Sequence, residues 1–229
     1  MKARKILVSV AALALVAAIS IGGTLAYLTS QATVTNTFSV GNIKITLDEA
    51  QLDKDGAKVE QVDNKEVRTD KNDYHLLPGH TYVKDPTVTV KAGSEPSYVK
   101  MTVTFSKADE LDAIFAPDGA NLTSIFNGYN AGNWIAKGNT KDTTANTRTY
   151  EFWYKETVSA PNGDVALDAL FDSITVPNSI TKEQLATIKD MTITVNAYAI
   201  QADGMEDATD AWAMKRQPTT LNLSWRCLI

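Results

Sequence analysis

Apolar and polar residues alternate strictly in the stretch Val99-Lys100-Met101-Thr102-Val103-Thr104-Phe105-Ser106. Successive side chains of a β-strand point to opposite faces, so this stretch predicts a strand with one face in a core. The same rhythm occurs at residues 83–90, 150–154 and 193–199. These stretches are rich in Val, Ile, Thr and Tyr, which suit a pleated, half-buried surface. We therefore expect an all-β protein.

Turn-forming clusters separate the alternating stretches, at Pro78-Gly79, 93–96, Asp118-Gly119 and 161–164. Short strands with turns between them are typical of antiparallel sandwiches and barrels. No alternation of strands with long helical patterns occurs, which disfavours a parallel α/β fold. The expected architecture is an antiparallel β-sandwich.

A few short helices are expected as connectors between strands. Thr181-Lys182-Glu183-Gln184 has the spacing of a capping box, in which the Thr hydroxyl and the Gln amide accept from opposite backbone donors. Leu185 and Ile188 then supply a short apolar stripe. Residues 107–115 and 206–214 are the other helix candidates.

Residues 1–26 have the order of a secretory signal: the cations Lys2, Arg4 and Lys5, an apolar run at 6–21, and small residues before Ala26-Tyr27. We expect cleavage between Ala26 and Tyr27. The alternative is an uncut membrane anchor, but the run is shorter than the roughly 20 residues that span a bilayer. We therefore expect a secreted protein, in the extracellular matrix or at the cell surface.

Residues 27–229 are expected to form a single domain that holds together by its core. The formal charge of −5 falls by three when the leader is removed, and an acidic surface repels nucleic acid, so we expect no nucleic-acid partner. Cys227 is the only cysteine, so no intramolecular disulfide can form; pairing between chains stays open.

Residues 28–40, just after the predicted cleavage site, form a β-capable segment within a candidate N-terminal assembly strand at 27–42. Its apolar residues fall on even positions, whereas the apolar positions after Gly41-Asn42 are odd, at Ile43, Ile45 and Leu47. A shift of one residue exchanges the faces of a strand, and Gly-Asn can absorb it in a turn or bulge. The segment is either the first strand of its own sandwich or a strand donated to the sheet edge of another molecule. The candidate assembly residues are Leu28, Ala32, Val34, Phe38 and Val40.

Residues 48–73 are dense in Asp, Glu, Lys and Asn. The interpretation favoured by this composition is a solvated loop or edge hairpin. A calcium site is the alternative, because clustered carboxylates suit that ion, although the glycine in Asp53-Lys54-Asp55-Gly56 comes too early for an EF-hand loop.

The sequence contains no zinc-protease pair, nucleophile elbow or phosphate-binding glycine pattern, and we assign no catalytic, cofactor-binding or metal-ligating residue. We expect a protein that is not an enzyme and has no cofactor. His75 and His80 flank Pro78-Gly79, and zinc there would need a carboxylate as a third ligand. Lys–Asn or Lys–Asp isopeptide links stay open, because an apolar pocket favours attack by a neutral amine and many Lys and Asn residues are present.

Several segments spread over most of residues 22–212 resemble the TasA/CalY (camelysin) family. They are Gly22-Gly23-Thr24-Leu25-Ala26-Tyr27-Leu28-Thr29, residues 32–41, Leu77-Pro78-Gly79, Asp85-Pro86-Thr87-Val88, Ser97-Tyr98-Val99-Lys100, residues 197–204 and Ala211-Trp212. The tail at 216–229 departs from the family pattern, and residues 220–225 either add a strand or belong to a lineage-specific end.

The resemblance implies a jelly-roll sandwich, processing by a signal peptidase of the SipW type, and a structural role in the extracellular biofilm matrix. It also implies head-to-tail self-assembly into fibres by N-terminal donor-strand exchange, with an accessory matrix or anchoring protein as a further partner. Two alternatives stay open: a camelysin-like secreted metalloendopeptidase using His75, His80 and a carboxylate, and a monomeric surface adhesin.

Overall fold

Strands account for nearly half of the residues described in the computed structural model, namely 42–53, 56–59, 63, 65–115, 126–213 and 219–228, the last range by its backbone alone. These residues form fourteen strands and three short helices. All strand pairings are antiparallel except one, between the C-terminal strand and residues 73–75. The expectation of an all-β, antiparallel sandwich is confirmed; the jelly-roll connectivity stays a prediction.

The largest sheet has seven strands. Six follow one another in the order β3 (Asp73–His75), β14 (Thr219–Leu228), β13 (Thr192–Gln201), β6 (Ser94–Ser106), β9 (Thr147–Tyr154) and β8 (Trp134–Asp142). The short strand β10 (Val158–Ala160) pairs with the first part of β6. The tail candidate at 220–225 therefore lies in a full strand, which pairs with β13 from Thr192↔Arg226 to Ala199↔Thr219.

Two smaller sheets complete the fold. The first has four strands in the order β11 (Val165–Ala166), β5 (Thr87–Val90), β1 (Ile45–Ala50) and β2 (Arg68–Thr69). The second has three, in the order β4 (Thr81–Val83), β12 (Ser173–Thr175) and β7 (Phe126–Asn127).

The alternation at residues 99–106 sets the core as expected. Val99, Met101, Val103 and Phe105 are buried, whereas Lys100, Thr104 and Ser106 lie at least partly in solvent. Burial of each large side chain of this row contributes roughly 1.5–3 kcal/mol. The row belongs to one apolar cluster to which the smaller sheets also contribute, among others through Ile45, Leu47, Val88, Val90 and Ile174.

The helices α1 (Ala108–Phe115), α2 (Lys182–Thr187) and α3 (Ala208–Ala213) connect strands. Thr181 Oγ1 accepts from the Gln184 N–H at 3.2 Å, and Gln184 Oε1 accepts from the Thr181 N–H at 2.9 Å. The predicted capping box is thus confirmed, and Leu185 and Ile188 are buried behind it.

The alternating stretch at 83–90 is two strands, not one. Strand β4 ends at Val83 and β5 begins at Thr87. Between them the Lys84 N–H donates to Asp172 O at 2.8 Å, Asp85 Oδ1 accepts from the Ala50 N–H at 2.7 Å, and Pro86 has no N–H to offer a ladder. The chain therefore passes from the three-stranded sheet to the four-stranded sheet between β4 and β5. The even-numbered residues from 82 to 90 are buried throughout.

Candidate functional site

The residues predicted for cleavage and assembly lie outside the described residues. They are Ala26, Tyr27, Leu28, Ala32, Val34, Phe38 and Val40. The compact unit to which the strands above belong begins at Gly41 and runs to Ile229. The β-capable segment 28–40 therefore directly precedes this unit along the chain.

The chain enters the sandwich at a fixed point beside the start of β6. Asn42 O accepts from the Glu95 N–H at 3.1 Å, and Lys44 N donates to Ser94 Oγ at 3.0 Å. The Ser94 hydroxyl in turn donates to Lys44 O at 3.2 Å, and the residue is buried. These bonds hold the lead-in to β1 in one place.

Strand β8 is the longest sheet edge in the described part of the chain. It pairs with β9, and no other described strand pairs with it. Residues 135–140 are all exposed, and Ile135 is 43% exposed. Every other described edge strand has two or three residues. An edge of this length presents unpaired backbone groups to which another extended segment can add.

The first half of β8 carries two features that discourage pairing. A bulge interrupts the register between Ala136 and Gly138, and Gly138 has φ +113°, a conformation that suits glycine. Lys137 extends over the Trp153 ring, with Nζ 4.1 Å from the ring centroid. Bulges and edge lysines protect natural sheets from unwanted pairing. Regular pairing resumes from Asn139 to Asp142, which leaves the second half as the open edge.

Helix α1 braces the hairpin formed by β8 and β9. Arg148 donates to both oxygens of Asp112, at 3.2 Å from Nε and 2.5 Å from Nη2, and Lys141 Nζ lies 3.0 Å from Asp112 Oδ2. Desolvation by burial raises the pKa of Asp112, but the hydrogen bonds from Arg148 and Lys141 outweigh it and hold that pKa below its usual value. These contacts join α1 to both strands of the hairpin.

A row of aromatic rings and lysines covers part of the other face of the large sheet. Lys100 Nζ lies 5.4 Å from the Tyr198 ring centroid and 4.6 Å from that of Trp212. The Trp153 and Trp212 rings are 6.4 Å apart. All these side chains are partly exposed, and the lysines lie over the ring faces in cation–π geometry.

The charged region 48–73 is organised around Arg68. The guanidinium donates to Asp48 Oδ1 at 2.8 Å, Glu66 Oε2 at 3.2 Å and Asp85 Oδ2 at 3.1 Å. A hydrogen bond from Lys58 lowers the pKa of Glu66. These carboxylates therefore face cationic side chains, and the region contains the end of β1, the short strand β2 and a bridge between Leu52 and Lys58.

Beneath this surface network lies a buried polar cluster of Lys84, Glu49 and Asn72, which are 0%, 1% and 5% exposed. Lys84 Nζ donates to Glu49 Oε2 at 2.5 Å. Asn72 Nδ2 donates to Glu49 Oε1 at 2.6 Å and to Ala50 O at 2.9 Å. Asn72 Oδ1 accepts from the Leu52 N–H at 2.9 Å. One carboxylate thus bridges an amine and a carboxamide.

His75 and His80 are both exposed, and the His80 ring stacks on Tyr82 with centroids 6.4 Å apart. Within the described ranges, no group of three or more His, Cys, Asp or Glu side chains is arranged to hold a metal ion. No helix in this part of the chain is long and apolar enough to cross a membrane.

The buried cluster was missed by sequence reasoning, although the pattern contained its signal. Glu49 follows Ile45 and Leu47 in phase, and Lys84 lies in phase with Tyr82 and Val88, so both occupy inward positions of their strands. An ionisable residue in the inward phase of an alternating stretch predicts a buried charge with a partner. Asn72 has the same phase as Tyr74.

Comparison with known proteins assigns no family to this chain. No family model matches the sequence, and no curated protein matches it either.

Proposed function

We propose that this protein is an exported structural subunit that assembles outside the cell into fibres of a biofilm matrix. In this proposal, segment 28–40 of one molecule adds as a strand to the sheet edge of the next. One observation carries it: a segment with the alternation of a half-buried strand directly precedes a compact sandwich unit that begins at Gly41. The resemblance to the TasA/CalY family supports the same mechanism.

The acceptor in this proposal is the second half of β8, from Asn139 to Asp142. It belongs to the longest edge strand in the described part of the chain, its residues are mostly exposed, and the contacts of Lys141 and Arg148 with Asp112 join the hairpin to α1. Main-chain hydrogen bonds to this edge would supply affinity, and the apolar side of the donated strand would supply specificity. Burial of Leu28, Val34, Phe38 and Val40 would contribute roughly 6–10 kcal/mol before the costs of association.

The first prediction compares a chain starting at Tyr27 with one starting at Ile43, by electron microscopy and size-exclusion chromatography. We expect filaments from the longer chain and folded monomers from the shorter one, because only the longer chain carries the donated strand. Filaments from both forms, or monomers from both, would contradict strand donation by segment 28–40.

A matched pair of variants separates the strand pattern from simple length. Phe38→Asp places a charge on the apolar phase of the segment, and Thr37→Asp places the same charge on the polar phase. We expect Phe38→Asp to abolish filaments and Thr37→Asp to retain them. Equal behaviour of the two variants would mean that the face of the segment is irrelevant to assembly.

The aromatic row on the large sheet favours a second candidate function, that of a monomeric adhesin. Trp153 and Trp212 are partly exposed on this face with ring centroids 6.4 Å apart, and aromatic rings of this kind can bind sugars and other planar ligands. Ligand binding by the chain that starts at Ile43, with loss on Trp153→Ala, would favour this candidate over the matrix subunit.

A further inference from the structure

Lys84, Glu49 and Asn72 come from three different sheets and meet in the interior. Glu49 belongs to β1 of the four-stranded sheet, Lys84 directly follows β4 of the three-stranded sheet, and Asn72 directly precedes β3 of the seven-stranded sheet. All three side chains are at least nine-tenths buried. A charged pair buried to this degree is a weak source of stability, because desolvation cancels most of its attraction. Stability alone therefore does not account for this buried pair.

Burial makes the neutral form of a lysine amine less costly in free energy than it is in water. Charged groups lose their hydration in a low-dielectric interior, so an ammonium–carboxylate pair and a neutral amine–acid pair come closer in free energy than in water. The Tyr74 ring lies 5.3 Å from Lys84 Nζ, and the Tyr74 hydroxyl donates to Val83 O at 3.2 Å, which closes one side of the site with aromatic carbon. A neutral amine is a nucleophile, whereas an ammonium is not.

Hydrogen bonds at both its oxygen and its nitrogen fix the carboxamide of Asn72. Its Oδ1 accepts from the Leu52 N–H at 2.9 Å, and a backbone donor at that oxygen stabilises the negative charge that develops when a nucleophile adds to the carbonyl carbon. Its Nδ2 donates to Glu49 Oε1 at 2.6 Å, so an acid lies beside the nitrogen that would leave. The other oxygen of the same carboxylate accepts from Lys84 Nζ.

We propose that Lys84 and Asn72 become joined by an isopeptide bond, with Glu49 as the proton carrier. This modification goes beyond the matrix function proposed above and does not depend on it. Glu49 first takes a proton from the Lys84 ammonium. The lone pair of Nζ then attacks Asn72 Cγ, and the carbonyl electrons move to Oδ1 beside the Leu52 N–H. Glu49 delivers the proton that it holds to Nδ2, the Cγ–Nδ2 bond breaks, and ammonia leaves as the carbonyl re-forms. The carboxylate, free again, takes the second proton from Nζ and passes it to the ammonia, which departs as ammonium and leaves a neutral secondary amide.

The reaction balances without an oxidant or a co-reactant. One amine and one carboxamide give one secondary amide and one ammonia, and the chain loses about 17 Da. The new bond would close a ring through β3, the Pro78-Gly79 turn and β4, and it would tie the large sheet to the three-stranded sheet covalently. A chain without an intramolecular disulfide would gain a permanent cross-link by this route.

Intact mass and a tryptic digest of the folded, purified full chain, denatured before digestion, test the proposal. We expect an intact mass about 17 Da below the value for the sequence. Without the bond, trypsin cuts after Lys71, Lys84 and Lys91 and releases residues 72–84 and 85–91. With the bond, Lys84 resists cleavage and a single peptide of residues 72–91 appears, also lighter by about 17 Da.

Glu49→Gln and Glu66→Gln form a matched pair for the role of the carboxylate. Glu66 lies in the surface network of the same region, where it contacts Lys58 and Arg68. We expect the unmodified mass from Glu49→Gln and the lighter mass from Glu66→Gln. A merely structural role of Glu49 would change stability and leave the mass difference in place.

The unmodified mass in the wild-type chain, with separate peptides 72–84 and 85–91, would overturn the proposal whatever the variants do. The same holds if Glu49→Gln folds, as judged by near-ultraviolet circular dichroism, and still shows the full mass loss. The wild-type measurement decides the question even if Glu49→Gln fails to fold.

Discussion

Tyr150 buries a phenol whose oxygen has no hydrogen-bond partner among the described residues. Its ring packs edge-on against Phe105, with centroids 6.0 Å apart, so the ring contributes to the core. Burial raises the pKa of Tyr150 from 10.0 to about 12. The hydroxyl, in contrast to the ring, costs free energy, because a buried polar group that loses its water bonds is expensive to leave unpaired.

Tyr150→Phe is therefore expected to leave the free energy of unfolding unchanged or to raise it by about 1 kcal/mol. The unfolded chain releases the phenolic proton near pH 10 and the folded chain only near 12, so the wild type loses stability as the pH rises through this window. The Tyr150→Phe variant should lose less stability than the wild type over the same pH window. Urea unfolding at neutral pH and at pH 11 measures both effects.

Tyr129→Phe is the matched control, since the Tyr129 hydroxyl donates to Trp134 O at 2.7 Å. Removal of that paired hydroxyl is expected to cost about 1 kcal/mol. A loss of 1 kcal/mol or more from Tyr150→Phe would show that its hydroxyl has a partner in the folded protein.

At the scale of single residues, the sequence predicted which residues face inward. It did not predict which partners the buried polar side chains contact. The phase of Ile45, Leu47 and Glu49 follows from the alternation alone. The convergence of Glu49 on Lys84 and Asn72 depends on how three sheets meet, and no local pattern encodes that contact. Pair contacts between distant strands are set by the global fold.

The elements with local signals were the most predictable. The capping box of α2 requires only two side chains and two backbone groups within four residues, and it forms as expected. The stretch at 83–90 was harder, because its inward phase runs unbroken through a change of sheet at Lys84 and Asp85. Hydrophobic periodicity indicates which face of a strand is buried, but it does not indicate which neighbouring strand it pairs with.

Thr181→Ala should cost about 1 kcal/mol of stability, because it removes the acceptor for the Gln184 N–H at the start of α2. Thr181→Ser is the control, since serine retains a hydroxyl at the cap and is expected to lose no more than a few tenths of a kcal/mol. Thermal unfolding of the three proteins compares them. Equal losses from Ala and Ser would assign the effect to the methyl group instead of the cap.

The proposed acceptor edge makes a prediction for proline variants of β8. Successive N–H groups of an edge strand point alternately to the neighbouring strand and to the open side. Asn139→Pro and Thr140→Pro each remove one backbone N–H, and only one of these two N–H groups points to the open side. The variant that loses the N–H on the open side should fold normally, because edge strands tolerate proline there. We expect that folded variant to form no filaments in the electron microscope. Normal filaments from it would exclude this half of β8 as the acceptor.

At the scale of the whole molecule, the all-β class followed from composition and alternation, whereas a strand at residues 220–225 was one of two open alternatives for the tail. The order of strands did not follow from composition or alternation. Strand β14 inserts between β13 and β3, and its pairing with β3 is the one parallel pairing in the described sheets. Contacts between residues so distant in sequence carry no periodic signature, so a single sequence cannot set them.

The proposed bond between Lys84 and Asn72 has a consequence at this scale. A cross-link that closes a ring of this size restricts the unfolded chain and would stabilise the folded one by about 3 kcal/mol. For a chain of this length that corresponds to roughly 6–12 °C in the melting temperature.

Strand β1 directly follows the lead-in at Asn42 and Lys44, and it is paired on both sides, with β5 over Ile45 to Asp48 and with β2 at Glu49 and Ala50. Hydrogen bonds of an antiparallel ladder lie perpendicular to the strands. Tension applied through the residues before Asn42 would thus act along β1 and load its ladder in shear. The pairs would share the force and yield together, whereas a strand peeled from its end gives way one pair at a time. A fibre joined through this segment would transmit pulling force into the strongest direction of the sheet.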